Sequence, residues 1–128
     1  MQNALSDKIK VKTEIAVPNQ INIETTDLVA ILGNLIDNAL NALADVPEDR
    51  RSLTIKVVFS QERLIIRTSN PYVGEVMCKD GKIISAKRNS KQHGYGLNNI
   101  AKAVNKYKGY MDIDYTGNNF TVDILMYI

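Results

Sequence analysis

Apolar and polar positions alternate through the first half of IKVKTEIAV (residues 9–17), whose β-branched side chains predict a strand. PNQ then turns the chain. ETTDLVAILGNLIDNALNALADV (24–46) changes to the helical period, with Thr25 or Thr26 as N-cap, Asp27 in the first turn and Pro47 beyond the end. On a helical wheel Leu28, Ile31, Leu32, Leu35, Ile36, Ala39 and Leu43 form a broad apolar face. Asn34, Asn38, Asn41 and Asp45 are predicted to cluster opposite, with Asp37 at their edge.

SLTIKVVF (52–59) and RLIIRTSN (63–70) read as two strands joined by the polar turn SQE, a hairpin. From Pro71 to His93 no period holds, beyond weak alternation around KIISA. A loop of about 20 residues inside a small domain is often a functional lid. GYGLNNIAKAVNKYKG predicts a helix entered through Gly-x-Gly and stopped by Gly109 as its C′ residue. YMDIDY and FTVDILMYI, joined by TGNN, predict a second hairpin. The order is strand, helix, hairpin, lid, helix, hairpin. Consecutive hairpins imply mostly antiparallel pairing, so the expected class is α+β: a two-layer sandwich with helices on one face of a mixed sheet.

At 128 residues the chain fits one domain, 1–128, and can bury a core without disulfides. A net charge of +2 argues against an obligate nucleic-acid binder, although Lys79, Lys82, Lys87, Arg88 and Lys91 crowd one segment, opposed only by Asp80. The single cysteine, Cys78, excludes an internal disulfide and any multi-cysteine metal site, and fits a reducing cytosol. No run is apolar enough to span a membrane, and MQNALSDKIKVK has no targeting character.

Three asparagines inside one helix call for an explanation, since each costs roughly 0.6 kcal/mol relative to Ala. One reading is a solvated face, for which Glu, Lys or Gln would be cheaper. The other is a ligand face: three amides in register offer neutral oxygens and NH₂ donors together. That suits Mg²⁺ bridged to phosphates, because Mg²⁺ keeps several waters and takes few protein ligands. HGYGL (93–97) could place free N–H groups of a helix start against phosphate, or be a plain loop-to-helix turn. It is neither a dinucleotide fingerprint nor a P-loop. The basic segment could neutralise a γ-phosphate or simply be solvated. His93, the only histidine, suits a phosphate contact from the lid better than a phosphoacceptor role. With one His and one Cys there is no support for a zinc site or for a hydrolytic triad.

LGNLIDNALNAL followed, after a variable segment, by HGYGLNNI resembles the N-box and second glycine box of the Bergerat-fold ATP-binding domain of the GHKL superfamily. That superfamily includes gyrase, the large heat-shock chaperone, the mismatch-repair ATPases and histidine kinases. Within it, DLVAILGNLIDNALNAL and the SAK and HGYGLNNI stretches are similar to the catalytic domain of Agr-type sensor kinases, which receive peptide pheromones. The resemblance implies Asn38 as the Mg²⁺ ligand and Asn34 reaching phosphate or metal-bound water. Asn41 stands where relatives often carry an acid, and Lys87 and His93 would contact phosphate from the lid. Gly94, Tyr95, Gly96 and Leu97 would form the phosphate-binding helix start. Asn70, in SNPYVG, stands where the first glycine box places an Asp against the adenine amino group. An Asn oxygen can accept that bond, with about half the strength of a charge-assisted one.

ATP-hydrolysing GHKL members carry Glu at the position of Asn34, and an amide cannot serve as that base. The resemblance therefore implies a domain that binds Mg²⁺ and ATP or ADP and hydrolyses ATP poorly. It would donate the γ-phosphate to a histidine on its own dimerisation and phosphoacceptor domain, and through it to a response regulator. The expected context is a cytoplasmic domain of a bacterial membrane-bound sensor kinase, excised here, monomeric, without direct membrane contact. Two alternatives remain open: a GHKL serine kinase of anti-sigma type, and a nucleotide-independent interaction module.

Overall fold

The computed structural model describes residues 9–75, 77–79, 82–85 and 94–128. Strand β1 (Lys10–Ala16) leads through helix α1 (Thr25–Leu43) to strands β2 (Ser52–Ser60) and β3 (Arg63–Pro71). Short strands β4 (Met77–Lys79) and β5 (Lys82–Ser85) follow, then helix α2 (Gly94–Lys106) and strands β6 (Tyr110–Asp114) and β7 (Asn119–Tyr127). The main sheet has the order β1-β2-β3-β7-β6, and β4 pairs only with β5. β1 runs parallel to β2, with α1 as the crossover, and every other pairing is antiparallel. The expected α+β two-layer sandwich is therefore the observed fold. The hairpin β4–β5 falls inside the stretch predicted to be loop: its short strands pair with each other, and neither is long enough to show a period.

β3 shows how the sequence builds the layers. Leu64, Ile66, Thr68 and Asn70 are buried toward the helices, while Arg67 and Ser69 point to the open face. There Arg67 forks onto Asp123 of β7, and Ser69 shares a 3.0 Å hydrogen bond with Thr121. β7 alternates in phase, burying Phe120, Val122, Ile124 and Met126. Against this wall pack Ile31 and Leu35 of α1 and Ile100 and Val104 of α2, all essentially without solvent exposure. A second cluster joins Ala39 and Leu43 of α1 to Val46 and Leu53.

Three local expectations change. The N-cap of α1 is Glu24, not Thr25 or Thr26, and no side chain of its own caps the helix. Instead the Tyr107 hydroxyl, from just beyond α2, accepts the Glu24 N–H at 3.0 Å. A cap supplied by another element leaves no signature in the local sequence. Second, α2 ends in a Schellman motif in which Lys108, at φ 55°, takes the left-handed position predicted for Gly109. The Gly109 N–H then bonds back to the Val104 carbonyl at 3.0 Å. Gly109 is required for a different reason: a Cβ there would lie 2.1 Å from the Leu125 carbonyl oxygen. Third, Asn38 is buried together with Ile31, Leu35 and Ala42, rather than lying opposite the apolar face. The side of α1 that periodicity assigns to solvent meets the start of α2 at Asn34, beside Gly96.

Candidate functional site

The asparagine stripe of α1 meets the glycine entry of α2. Asn34, half-buried, donates its Nδ2 to the Ala30 carbonyl one turn back at 2.8 Å, which leaves Oδ1 as its outward group. A Cβ placed on Gly96 would lie 3.5 Å from that oxygen. The two boxes, more than 50 residues apart in sequence, are therefore neighbours in space, separated at this point by about the width of a methyl group. One turn further along α1, Asn38 is 7 % exposed, and its Oδ1 is buried without a hydrogen-bond partner among the described residues. Leaving a buried carbonyl unmet costs about 1–3 kcal/mol. Asn41, a further turn along, is half-buried on the same stripe.

Gly94, Tyr95 and Gly96 open α2, and the N–H groups of a helix's first turn have no acceptor within the helix. Leu97 contributes differently from the glycines: its side chain is buried in the main core and anchors the helix start. Asn70 lies at the end of β3 on the helix-facing side, 2 % exposed, with Nδ2 donated to the Pro71 carbonyl at 2.9 Å. That bond leaves its Oδ1 as the acceptor. Lys87 and His93 lie outside the described residues.

Sequence reasoning missed Thr68, which is 2 % exposed and two residues before Asn70 on the same face. A buried polar residue in an otherwise apolar alternation was its available signal. It also missed a cleft of about 210 Å³ beyond Asn70, lined by Val46, Arg50, Pro71, Tyr72, Val73 and Asn118 among others. Tyr72 is fixed there by its hydroxyl bond to the Tyr115 carbonyl at 2.7 Å and by edge-on packing against Phe120.

At the other end of α2 the two helices are clamped together. Asp27, in the first turn of α1, accepts from the Tyr107 hydroxyl at 2.5 Å and from Lys106 Nζ at 2.9 Å. Those two hydrogen bonds hold its carboxyl below the ordinary carboxylate pKa. Asp27 in turn raises the Lys106 ammonium, and burial with the Asp27 bond raises the Tyr107 phenol. The clamp is a positioning device at one end of the two helices that carry the asparagines and the glycines.

The donor set fits Mg²⁺ better than a softer or more heavily ligated ion. No group of three or more His, Cys, Asp or Glu able to hold a metal exists among the described residues. Mg²⁺ accepts one or two protein oxygens with the remainder from phosphate and water, and Asn38 Oδ1, without a partner among the described residues, is an oxygen of the type it takes.

The family model for the GHKL domain matches residues 23–127. This chain belongs to the GHKL domain family. Its fold is shared with solved structures of low sequence identity. A histidine kinase of Acinetobacter baumannii, AdeS, aligns with a TM-score of 0.66 at 15% identity over 97% of this chain and 59% of the other. The catalytic domain of histidine kinase ThkA in a nucleotide-free form aligns with a TM-score of 0.70 at 17% identity, over 95% of this chain and 82% of that one. A second nucleotide-free form of the ThkA domain gives 0.69 at 16% identity, over 95% of this chain and 80% of that one. This GHKL chain thus spans less than two thirds of AdeS as solved. No curated protein matches the sequence.

Proposed function

We propose that this GHKL domain binds Mg²⁺ and ATP in the groove between α1 and the start of α2. It serves as the catalytic domain of a sensor histidine kinase of the Agr, quorum-sensing type. The observation that carries the reading is the Oδ1 of Asn38, buried and without a partner among the described residues, one turn from the Asn34–Gly96 approach. Asn38 would hold Mg²⁺ through that oxygen. Bound Mg²⁺ would supply charge neutralisation of the triphosphate, which with positioning is what phosphoryl transfer asks of a site. Asn34, its Nδ2 engaged with Ala30, would orient metal-bound water or a phosphate through Oδ1. The first-turn N–H groups of Gly94, Tyr95 and Gly96 would bind phosphate oxygens. Asn70 would accept the adenine amino group through Oδ1, and Lys87 and His93 complete the proposed contacts.

The γ-phosphoryl acceptor is a histidine of the kinase's dimerisation domain, with a response regulator downstream. None of the helices among the described residues is long and apolar enough to cross a membrane. A cytoplasmic catalytic domain of a membrane-bound kinase is part of the same proposal. An amide at position 34 cannot take a proton from water at neutral pH, so ATP is held for transfer and hydrolysed slowly.

Calorimetric titration with ADP and a non-hydrolysable ATP analogue, each with and without Mg²⁺, tests the reading. One-to-one binding that strengthens with Mg²⁺ is expected. No heat and no shift in melting temperature at millimolar nucleotide would overturn it in favour of an interaction module without nucleotide.

A further inference from the structure

β1 closes one edge of the main sheet, so one side of its backbone is unpaired among the described residues. The Lys10 N–H donates to the Arg51 carbonyl at 3.1 Å, which points Lys10, Lys12 and Glu14 main-chain groups toward β2. By the two-residue period of a strand, the N–H and C=O groups of Val11, Thr13 and Ile15 point outward from the edge. The side chains of these three residues flank Leu53, Ile55 and Val57 on the helix-bearing face. Leu53 and Val57 are buried there beneath α1, yet Val11 and Ile15 are 54% and 65% exposed. The helices stop short of β1 and leave an aliphatic stripe beside an open edge.

Apart from Lys10 opposite Ala16, the residues along that edge match in complementary pairs about Thr13. Read outward, its flanks carry Lys12 and Glu14, then Val11 and Ile15, then Lys10 and Ala16, and just past the strand Ile9 and Val17. We propose that β1 is a homotypic pairing edge. A second copy of this chain adds its own β1 antiparallel across a two-fold axis at Thr13, giving one continuous sheet.

In that register Thr13 faces its symmetry mate, and Val11 faces Ile15 of the other copy, as pairs that exchange both main-chain hydrogen bonds. Lys12 faces Glu14 of the other copy in the closer, non-hydrogen-bonded position, where side chains approach most. Thr–Thr, aliphatic and opposite-charge pairs are each among the stabilising cross-strand combinations. Neighbouring registers are disfavoured. An axis at Lys12 or at Glu14 sets like charges directly opposite, and a one-residue slip sets the outward-pointing Val11, Thr13 and Ile15 against residues of the other copy whose main-chain groups face their own β2, so the ladder cannot form. Lysines on an edge ordinarily block such pairing, but here the symmetric register supplies Lys12 with a carboxylate partner. The pairing would replace the monomer expected from sequence with a concentration-dependent dimer, and it does not depend on nucleotide.

Sedimentation velocity over a concentration series tests this, with circular dichroism as a control for folding. The natural chain should move from monomer toward dimer as concentration rises. Lys12→Glu and Glu14→Lys should each weaken self-association about tenfold, because each converts both symmetry-related pairs to like charges. Mixing the two variants should restore association as a heterodimer, since all-acidic then faces all-basic. Recovery in the mixture is an outcome that simple damage to β1 would not produce. A natural chain that stays monomeric at millimolar concentration would overturn the proposal. So would folded single variants that associate as well as the natural chain, or a folded mixture that fails to pair.

Discussion

A Cβ on Gly96 would sit 3.5 Å from Asn34 Oδ1, at ordinary van der Waals distance and not in collision. The two halves of the proposed site thus face each other across a gap about as wide as the absent methyl group.

Gly96→Ala should therefore fold normally, and with a stability equal to or above the natural chain, since Ala is the better helix former. It should bind nucleotide more weakly, because the methyl group occupies space beside Asn34 Oδ1. Gly109→Ala is the contrasting case: its Cβ would meet the Leu125 carbonyl at 2.1 Å, so backbone must move. A loss of about 3 kcal/mol is expected there. Urea unfolding of both variants, with nucleotide titration of the first, checks the pair.

Asn38→Ala removes a buried carbonyl that has no hydrogen-bond partner among the described residues. Stability should change by no more than about 1 kcal/mol, because the penalty of the unmet oxygen leaves with the side chain. Mg²⁺-dependent nucleotide affinity should fall by about tenfold or more. Calorimetry with and without Mg²⁺ separates the metal from the nucleotide, and unchanged affinity would remove Asn38 from the site.

Asn70→Ala should weaken adenine nucleotides about fivefold, the value of one neutral hydrogen bond. Guanine nucleotides, which lack the adenine amino group, should be affected less. Competition between the two bases for the natural and substituted domains measures the difference.

Tyr107→Phe removes both the cap on the Glu24 N–H and the bond to Asp27. A fall in Tm of about 4 °C is expected, as for loss of a helix cap in a domain of this size.

The same clamp gives stability a defined pH dependence. The Asp27 carboxyl is held below its usual value of 3.8, chiefly by the Tyr107 bond and then by Lys106. Its contribution is therefore complete above that usual value, and is lost as pH falls through the lowered one. The Lys106 ammonium is raised above its usual value of 10.5, chiefly by the Asp27 bond. Its contribution is complete below 10.5 and is lost as pH rises through the raised value. Thermal melts of the natural chain and Asp27→Asn should differ across the neutral range and converge in strong acid.

What the sequence determined by itself was whatever depends on periodicity. The alternation in β3 and β7, the aliphatic face of α1 and the Gly-x-Gly start of α2 each follow from neighbours within one element, where side-chain direction repeats every two or 3.6 residues. The asparagine stripe was legible for the same reason, as residues whose helix cost asks for a compensating role. Tertiary structure decided what depends on a second element. Asn38 is buried although the helical period alone assigns it to water. The cap on Glu24 comes from Tyr107, 83 residues away. The need for Gly109 comes from the backbone of β7 passing where a side chain would be. The parallel placement of β1 and its open edge follow from the α1 crossover. No period in IKVKTEIAV distinguishes an edge strand from an interior one, because alternation records which face a side chain takes and not what lies beside the strand.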